Sequence, residues 1–245
     1  MTYTVSLIFF CPKDKYWGKK MILMYHRVSD RHRDEGSCTG LYAFVCEMLS
    51  LKKRLVVTLD EYNPAESNQV VITFDDAYQD VWLNAVPLLK HLNYPFEVFV
   101  VGRFLENRNC MDRNILSLLC RNTMGRLQFH GNEHRELKYI EAAEDILAEI
   151  IVPNDLRQLD PEGFRWFAYP YCSYNRFVIA EIQKRYQGAV SGKGLGSDHI
   201  YALERLKITD KSDRKEIFPA LTLGEKGLAI IWYLRLKLFE ILRKR

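Results

Sequence analysis

Residues 70–74, Val-Val-Ile-Thr-Phe, run directly into two adjacent carboxylates, Asp75 and Asp76, and then into a helical segment. The β-branched and aromatic run reads as a buried strand, and the carboxylates stand at its C-terminal end. In α/β folds that end is where ligands bind. Two like charges side by side are unfavourable unless a cation, a shared proton or strong donors compensate. The pair therefore points to a metal site or to one carboxylate with a raised pKa. A solvated loop with a helix N-cap is the plainer alternative.

The segments around this strand alternate between extended and helical patterns. Residues 21–28 read as a buried strand ending in Tyr25, His26 and Arg27, residues 29–40 as a charged loop, 41–53 as a helix and 54–59 as a strand. Residues 79–92 carry helical spacing that Pro87 should bend or restart. Strands are expected at 96–101, 126–129, 164–171, 188–191 and 204–208, and helices at 114–120 and 177–186. A long amphipathic helix is expected after His134, with Ile140, Ala143, Ile146, Leu147, Ile150 and Ile151 on one face. Alternation without repeats argues for a mainly parallel sheet, open or closed into a barrel. At 245 residues one large α/β domain with a substantial core suffices.

Charge and cysteine content exclude several classes. A formal charge of +4 is too weak to demand nucleic acid as a partner. The six cysteines form no C-x-x-C pair and no dense framework, so they read as reduced structural thiols. Residues 5–11 form an apolar run without the flanks of a signal peptide and read as a strand. Nothing approaches the roughly 20 apolar residues that span a bilayer. The expectation is a cytoplasmic protein, with the inner face of the cell membrane as one place for it. Residues 227–245 gather Leu228, Ile231, Trp232, Leu238, Phe239 and Leu242 on an apolar helix face and end in Arg243, Lys244 and Arg245. Such a basic amphipathic helix suits either the helix dipole or an anionic membrane surface, although Arg235 falls within the apolar face.

A second chemical segment, His130-Gly131-Asn132-Glu133-His134, directly follows an expected strand. Two imidazoles four residues apart face one metal if they share a helical turn. The zinc-protease pattern H-E-x-x-H is not met, because Glu133 adjoins the second histidine. Two histidines and one carboxylate make a common catalytic metal set that leaves positions open for water and substrate.

Thr73-Phe74-Asp75-Asp76, then His130-x-x-x-His134, then Phe167-Ala168-Tyr169-Pro170-Tyr171, each at the end of an expected strand, resembles the polysaccharide deacetylase family (NodB-homology, carbohydrate esterase 4). The segments 23–28, 86–90, 99–102 and 204–208 are similar to further pieces of that family, so the likeness spans about residues 21–208. It implies a distorted (β/α) barrel of about seven strands. It further implies a divalent metal, zinc by default with iron, cobalt or nickel as alternatives, on Asp76, His130 and His134. Asp75 would be the catalytic base, His26 the general acid, and the Tyr171 backbone N–H part of the oxyanion site. The substrate would be an N-acetylated amino sugar in a glycan or in a lipid- or nucleotide-linked precursor, with Trp166, Tyr169 and Tyr174 as candidates for stacking on sugar rings. A domain of residues 1–226 would be followed by the C-terminal helix 227–245.

The sequence departs from the family at Ala77, Gly131, Ala168 and Cys172. Gly131 removes a hydroxyl that would brace the metal loop, and Ala168 stands where many members carry an arginine that orients the base. Two rival readings follow: a barrel that only binds carbohydrate, and a basic scaffold on membrane or nucleic acid.

Overall fold

The computed structural model describes residues 21–32, 36–194 and 199–243; the run 5–11, read above as a strand, lies outside them. The strands are β1 (Met21–Tyr25), β2 (Arg27–Val28), β3 (Cys38–Thr39), β4 (Leu55–Val56), β5 (Gln69–Asp75), β6 (Phe96–Val100), β7 (Gly125–Phe129), β8 (Trp166–Ala168), β9 (Gly188–Ser191), β10 (Leu203–Glu204) and β11 (Leu206–Lys207). The helices are α1 (Leu41–Ser50), α2 (Val86–Leu92), α3 (Arg113–Asn122), α4 (Ala143–Ile150), α5 (Asn154–Arg157), α6 (Arg176–Gln183), α7 (Arg214–Ile217) and α8 (Leu223–Leu242).

The strands pair in parallel in the order β10-β9-β8-β7-β6-β5-β1-β11. Because β10 and β11 are two halves of one stretch interrupted at Arg205, this last stretch joins both edges and nearly closes a (β/α) barrel. The central strands β1, β5 and β6 are mostly apolar because both of their faces are covered. Val70, Ile72 and Phe74 face the helices, whereas Val71, Thr73 and Asp75 alternate into the barrel. Phe96, Val98 and Val100 likewise face outward while Glu97 and Phe99 face in.

The end of the barrel at the strand N-termini is closed by the segment after β4, whose Val57 and Leu59 join the interior cluster. Leu59 N–H donates to Glu97 (2.9 Å) and the Trp166 indole donates to Asp60 (2.7 Å). That leaves the end at the strand C-termini, where Asp75 and His130 emerge, free for a site.

Several expected elements come out shorter. The helix expected from Ile140 to Ile151 divides into a 3₁₀ turn at Leu137–Tyr139, α4 and, after Pro153, α5. Leu137, Ile140, Ile146 and Ile150 all bury on one core surface without sharing one helix, and Ile151 is exposed. The strand expected over 164–171 keeps only β8, because Phe164 is left-handed (φ 56°) and Pro170 opens a turn. In residues 79–92 a π-helical stretch, Val81–Ala85, gives way to α2 with Pro87 in its first turn, where a missing N–H costs nothing.

Among the described residues no helix is long and apolar enough to cross a membrane. The C-terminal helix α8 starts in a capping box between Thr222 and Glu225 and packs on the barrel through Ala229, Trp232 and Leu236. Of the apolar face expected from sequence, Trp232 is buried while Ile231, Leu238, Phe239 and Leu242 are exposed.

Candidate metal centre

Asp76, His130 and His134 come together at the C-terminal ends of β5 and β7. The pair His130 and His134 does not sit on a helical turn, contrary to the sequence expectation. Residues 130–134 form a loop in which Gly131 (φ 88°) and His134 (φ 57°) turn left-handed and fold the second imidazole back over the first. The His130 and His134 Nε2 atoms are 3.3 Å apart, and Asp76 Oδ1 lies 3.8 Å from the first and 3.6 Å from the second. These three separations fit a circle of radius about 2.1 Å, the ordinary bond length of zinc to imidazole nitrogen or carboxylate oxygen.

The surroundings of the three atoms suit a cation. Asp76 Oδ1 is buried without a hydrogen-bond partner. The carbonyl of Ala168 accepts from His130 Nδ1 (2.8 Å), which fixes the tautomer and leaves the Nε2 lone pair facing the other two ligands. The His134 ring is held between Phe104 (5.6 Å) and Tyr171 (4.6 Å). Burial, joined by the neighbouring Asp75 charge, raises the Asp76 pKa to about 7. Burial lowers His130 to about 4, and burial with its partner imidazole lowers His134 to about 3. Each imidazole is thus neutral at pH 7, as a ligand must be.

Asp75 is treated differently. Burial opposes its charge, but Arg205 more than offsets this, gripping both carboxylate oxygens at 2.7 Å and holding the pKa well below the usual carboxylate range. Arg205 also donates to Thr73 Oγ1 (3.1 Å), which in turn donates to the Leu23 carbonyl (2.8 Å). The two adjacent aspartates are thereby driven apart in pKa, one held ionised by Arg205 and one left with a buried oxygen that has no donor. Arg205 was missed as a site residue. Its sequence neighbours Glu204 and Lys207 give it no apolar frame, so only the structure shows it buried on a carboxylate partner.

Glu149 on α4 was missed as well. Its carboxylate accepts the backbone N–H of Glu133 (3.0 Å) and of Arg135 (2.9 Å), and its carbonyl accepts that of Asn132 (3.0 Å). A Cβ at Gly131 would lie 2.6 Å from Glu149 Oε1, so the glycine both allows the left-handed turn and admits the carboxylate. Glu149 thus braces the loop from the far side, where sequence reasoning found a bracing hydroxyl absent.

His26 follows β1 and lies near the charges of Asp75, Lys207, Arg205 and His134. Burial lowers its pKa to about 4, so it is neutral at pH 7 rather than poised near neutrality. Tyr171 is 64% exposed and left-handed (φ 55°) in the turn after β8, beside His134. Of the three residues read as sugar-stacking platforms, Trp166 and Tyr169 are buried and not presented to a ligand, and Tyr174 is half-buried. Trp166 is buried at the opposite end of the barrel, and Tyr169 is buried with its hydroxyl on the Tyr201 carbonyl (2.8 Å). The Tyr174 ring packs on Tyr169 (4.6 Å) with its hydroxyl on the Lys193 carbonyl (2.7 Å).

Comparison with known proteins adds an independent line. The family model described as Polysaccharide deacetylase matches residues 62–187, more than half of the 245. The Bacillus subtilis protein YxkH, whose name assigns it to the polysaccharide deacetylases, is 23% identical over 207 residues, 78% of this chain and 72% of that one. The poly-beta-1,6-N-acetyl-D-glucosamine N-deacetylase of Staphylococcus epidermidis is 23% identical over 190 residues, and the match covers 72% of this chain and 62% of that protein. Among solved structures, the Streptococcus pyogenes deacetylase PplD in complex with acetate aligns with a TM-score of 0.70 at 16% identity, over 81% of this chain and 96% of that one. The polysaccharide deacetylase BC0361 from Bacillus cereus aligns at 0.69 and 18%, over 86% and 69%. Sequence and fold converge on one assignment: the chain belongs to the polysaccharide deacetylase family.

Proposed function

We propose that this protein hydrolyses the N-acetyl group of an amino sugar, in a glycan or in a lipid- or nucleotide-linked glycan precursor, with a divalent metal on Asp76, His130 and His134. The observation that carries this reading is the triangle of three ligand atoms beside a separate, arginine-clamped carboxylate. Similarity to an N-deacetylase of poly-N-acetylglucosamine favours an amide over an ester. Two imidazoles and one carboxylate suit zinc first and admit iron, cobalt or nickel. Bound there, such an ion supplies an acidified water and a polarised acetyl carbonyl.

The chain's own residues supply the rest. Asp75, held as an anion by Arg205, accepts the proton of the attacking water. The Tyr171 N–H donates to the oxyanion, an interaction typically worth about 3 kcal/mol. His26 is neutral at the outset and protonates the departing amine after taking up the proton that Asp75 removes. The exposed Tyr171 ring offers the sugar an apolar face.

Acetate release from N-acetylhexosamine compounds, with metal content measured on the same samples, tests the assignment. Asp75→Asn retains the metal and loses turnover by about 10³-fold or more, whereas His134→Ala loses both. Metal retained without acetate release from any such compound would leave the binding-only reading in its place.

A further inference from the structure

Beyond its short core-facing stripe, α8 carries a second and wider apolar face. Leu223, Ile230, Ile231, Leu234, Leu238, Ile241 and Leu242 are each between 49% and 87% exposed. At 100° per residue they fall, with Gly227, in one arc about 120° wide, opposite Ala229, Trp232 and Leu236. The stripe extends for about 28 Å at 1.5 Å per residue. A soluble surface rarely leaves so long a row of aliphatic side chains together without an occupant.

Charge identifies the occupant. No carboxylate lies within the arc. Lys226 and Lys237 border one side, and Arg235 borders the other, stacked on Trp232 (5.0 Å) and Phe239 (5.8 Å). Arg235 therefore edges the apolar face instead of interrupting it. Of the helix's two glutamates, Glu225 turns into the N-terminal capping box and Glu240 pairs with Arg31 and Lys237. Lys237 also meets Asp30 (2.9 Å), so the positive border is carried by Lys226 on one side and Arg235 on the other. On the Arg235 side a groove of about 400 Å³ runs between α2 and α8, lined by Pro87, Lys90, His91, Trp232, Arg235, Phe239 and Arg243. Its lining holds three cations and no acid. A second copy of the chain laid on the stripe would gain no acidic patch to meet Arg235 and the cation-lined groove beside it. An anionic headgroup layer over hydrocarbon complements both the borders and the stripe.

We propose that α8 is a membrane-docking element whose outward face seats in an anionic phospholipid surface, with Lys90, Arg235 and Arg243 contacting headgroup phosphates. The C-terminal end of α8 reaches the π-helical stretch that follows the paired aspartates, where Arg243 donates to the Leu83 carbonyl (3.3 Å). Docking by this face holds the catalytic end of the barrel close to the membrane, and it stands independently of the deacetylation reading.

The test is co-sedimentation of the full chain with phosphatidylcholine vesicles, with and without about one third phosphatidylglycerol. The expected result is binding that phosphatidylglycerol strengthens about tenfold and that added salt weakens. Ile230→Glu with Leu234→Glu, both at exposed positions, abolishes binding while near-UV circular dichroism and melting temperature stay unchanged. Lys90→Glu with Arg235→Glu removes only the preference for phosphatidylglycerol. Absence of vesicle binding overturns the proposal. So does a lipid-free dimer that Ile230→Glu with Leu234→Glu converts to monomer, since the face would then belong to a second copy.

Discussion

A buried carboxylate left alone rises in pKa and protonates, and a protonated Asp75 accepts nothing. Arg205 prevents this with two parallel bonds from a planar fork, which a lysine ammonium does not reproduce. Replacement of Arg205 by Met, similar in length but uncharged, should lower kcat by about 10²-fold and move the acidic limb of the pH–rate profile upward. Arg205→Lys should fall between the two, keeping the charge and losing the geometry. An unchanged pH profile in Arg205→Met, in protein that still binds metal, would reduce the arginine to a packing residue. Breaking a buried pair from one side also costs about 3–5 kcal/mol of stability, so the comparison belongs at a temperature where both variants remain folded.

At the scale of elements, the metal loop depends on α4. Glu149→Ala leaves the Glu133 and Arg135 N–H groups without their acceptor and should weaken metal binding by about 10- to 100-fold, read by competition with a chelator of known affinity. Gly131→Ala should act in the same direction, since its Cβ meets Glu149 and its backbone is left-handed. Equal affinity in all three proteins would show that the loop holds its shape without the carboxylate. The same contrast explains what the sequence disclosed. The strands were legible because a parallel barrel buries both faces, so 70–74 and 96–100 read as mostly apolar runs, interrupted only by Thr73 and Glu97. The motifs Asp75-Asp76 and His130-x-x-x-His134 were legible because their order along the chain is distinctive. Glu149 and Arg205 were not, since each acts across a long sequence separation on a backbone or side chain that no local pattern names. The tyrosines and Trp166 misled for a related reason: an aromatic in a short strand looks the same whether it faces sugar, core or plug.

The whole molecule carries a second interior polar group, in the next inward-facing layer below Asp75. Burial raises Glu97 to about 7, against the donors Gln128 Nε2 (2.9 Å) and Leu59 N–H (2.9 Å). The folded pKa exceeds the unfolded value of 4.5, so the associated stability is complete below about pH 4.5 and is lost as pH rises through 7. Denaturant titrations between pH 4.5 and 7.5 should show Glu97→Gln losing on the order of 2 kcal/mol of that pH dependence. The variant should also be less stable at the acidic end, because one of its amide hydrogens must face a donor. A parent slope that persists unchanged in Glu97→Gln would assign it to other groups, Glu47 among them, whose burial likewise raises its pKa to about 7.

The stretch that seals the barrel is also the one that holds Asp75 ionised. Leu203–Glu204 grip β9 and Leu206–Lys207 grip β1, and the residue between them holds Asp75. A nascent chain that has emerged only as far as residue 187 already contains both aspartates and both histidines. Asp75 has no counter-charge in such a chain until the final stave docks and brings Arg205 against it. On the proposed function, the base would be armed only late in assembly, when the ring is whole.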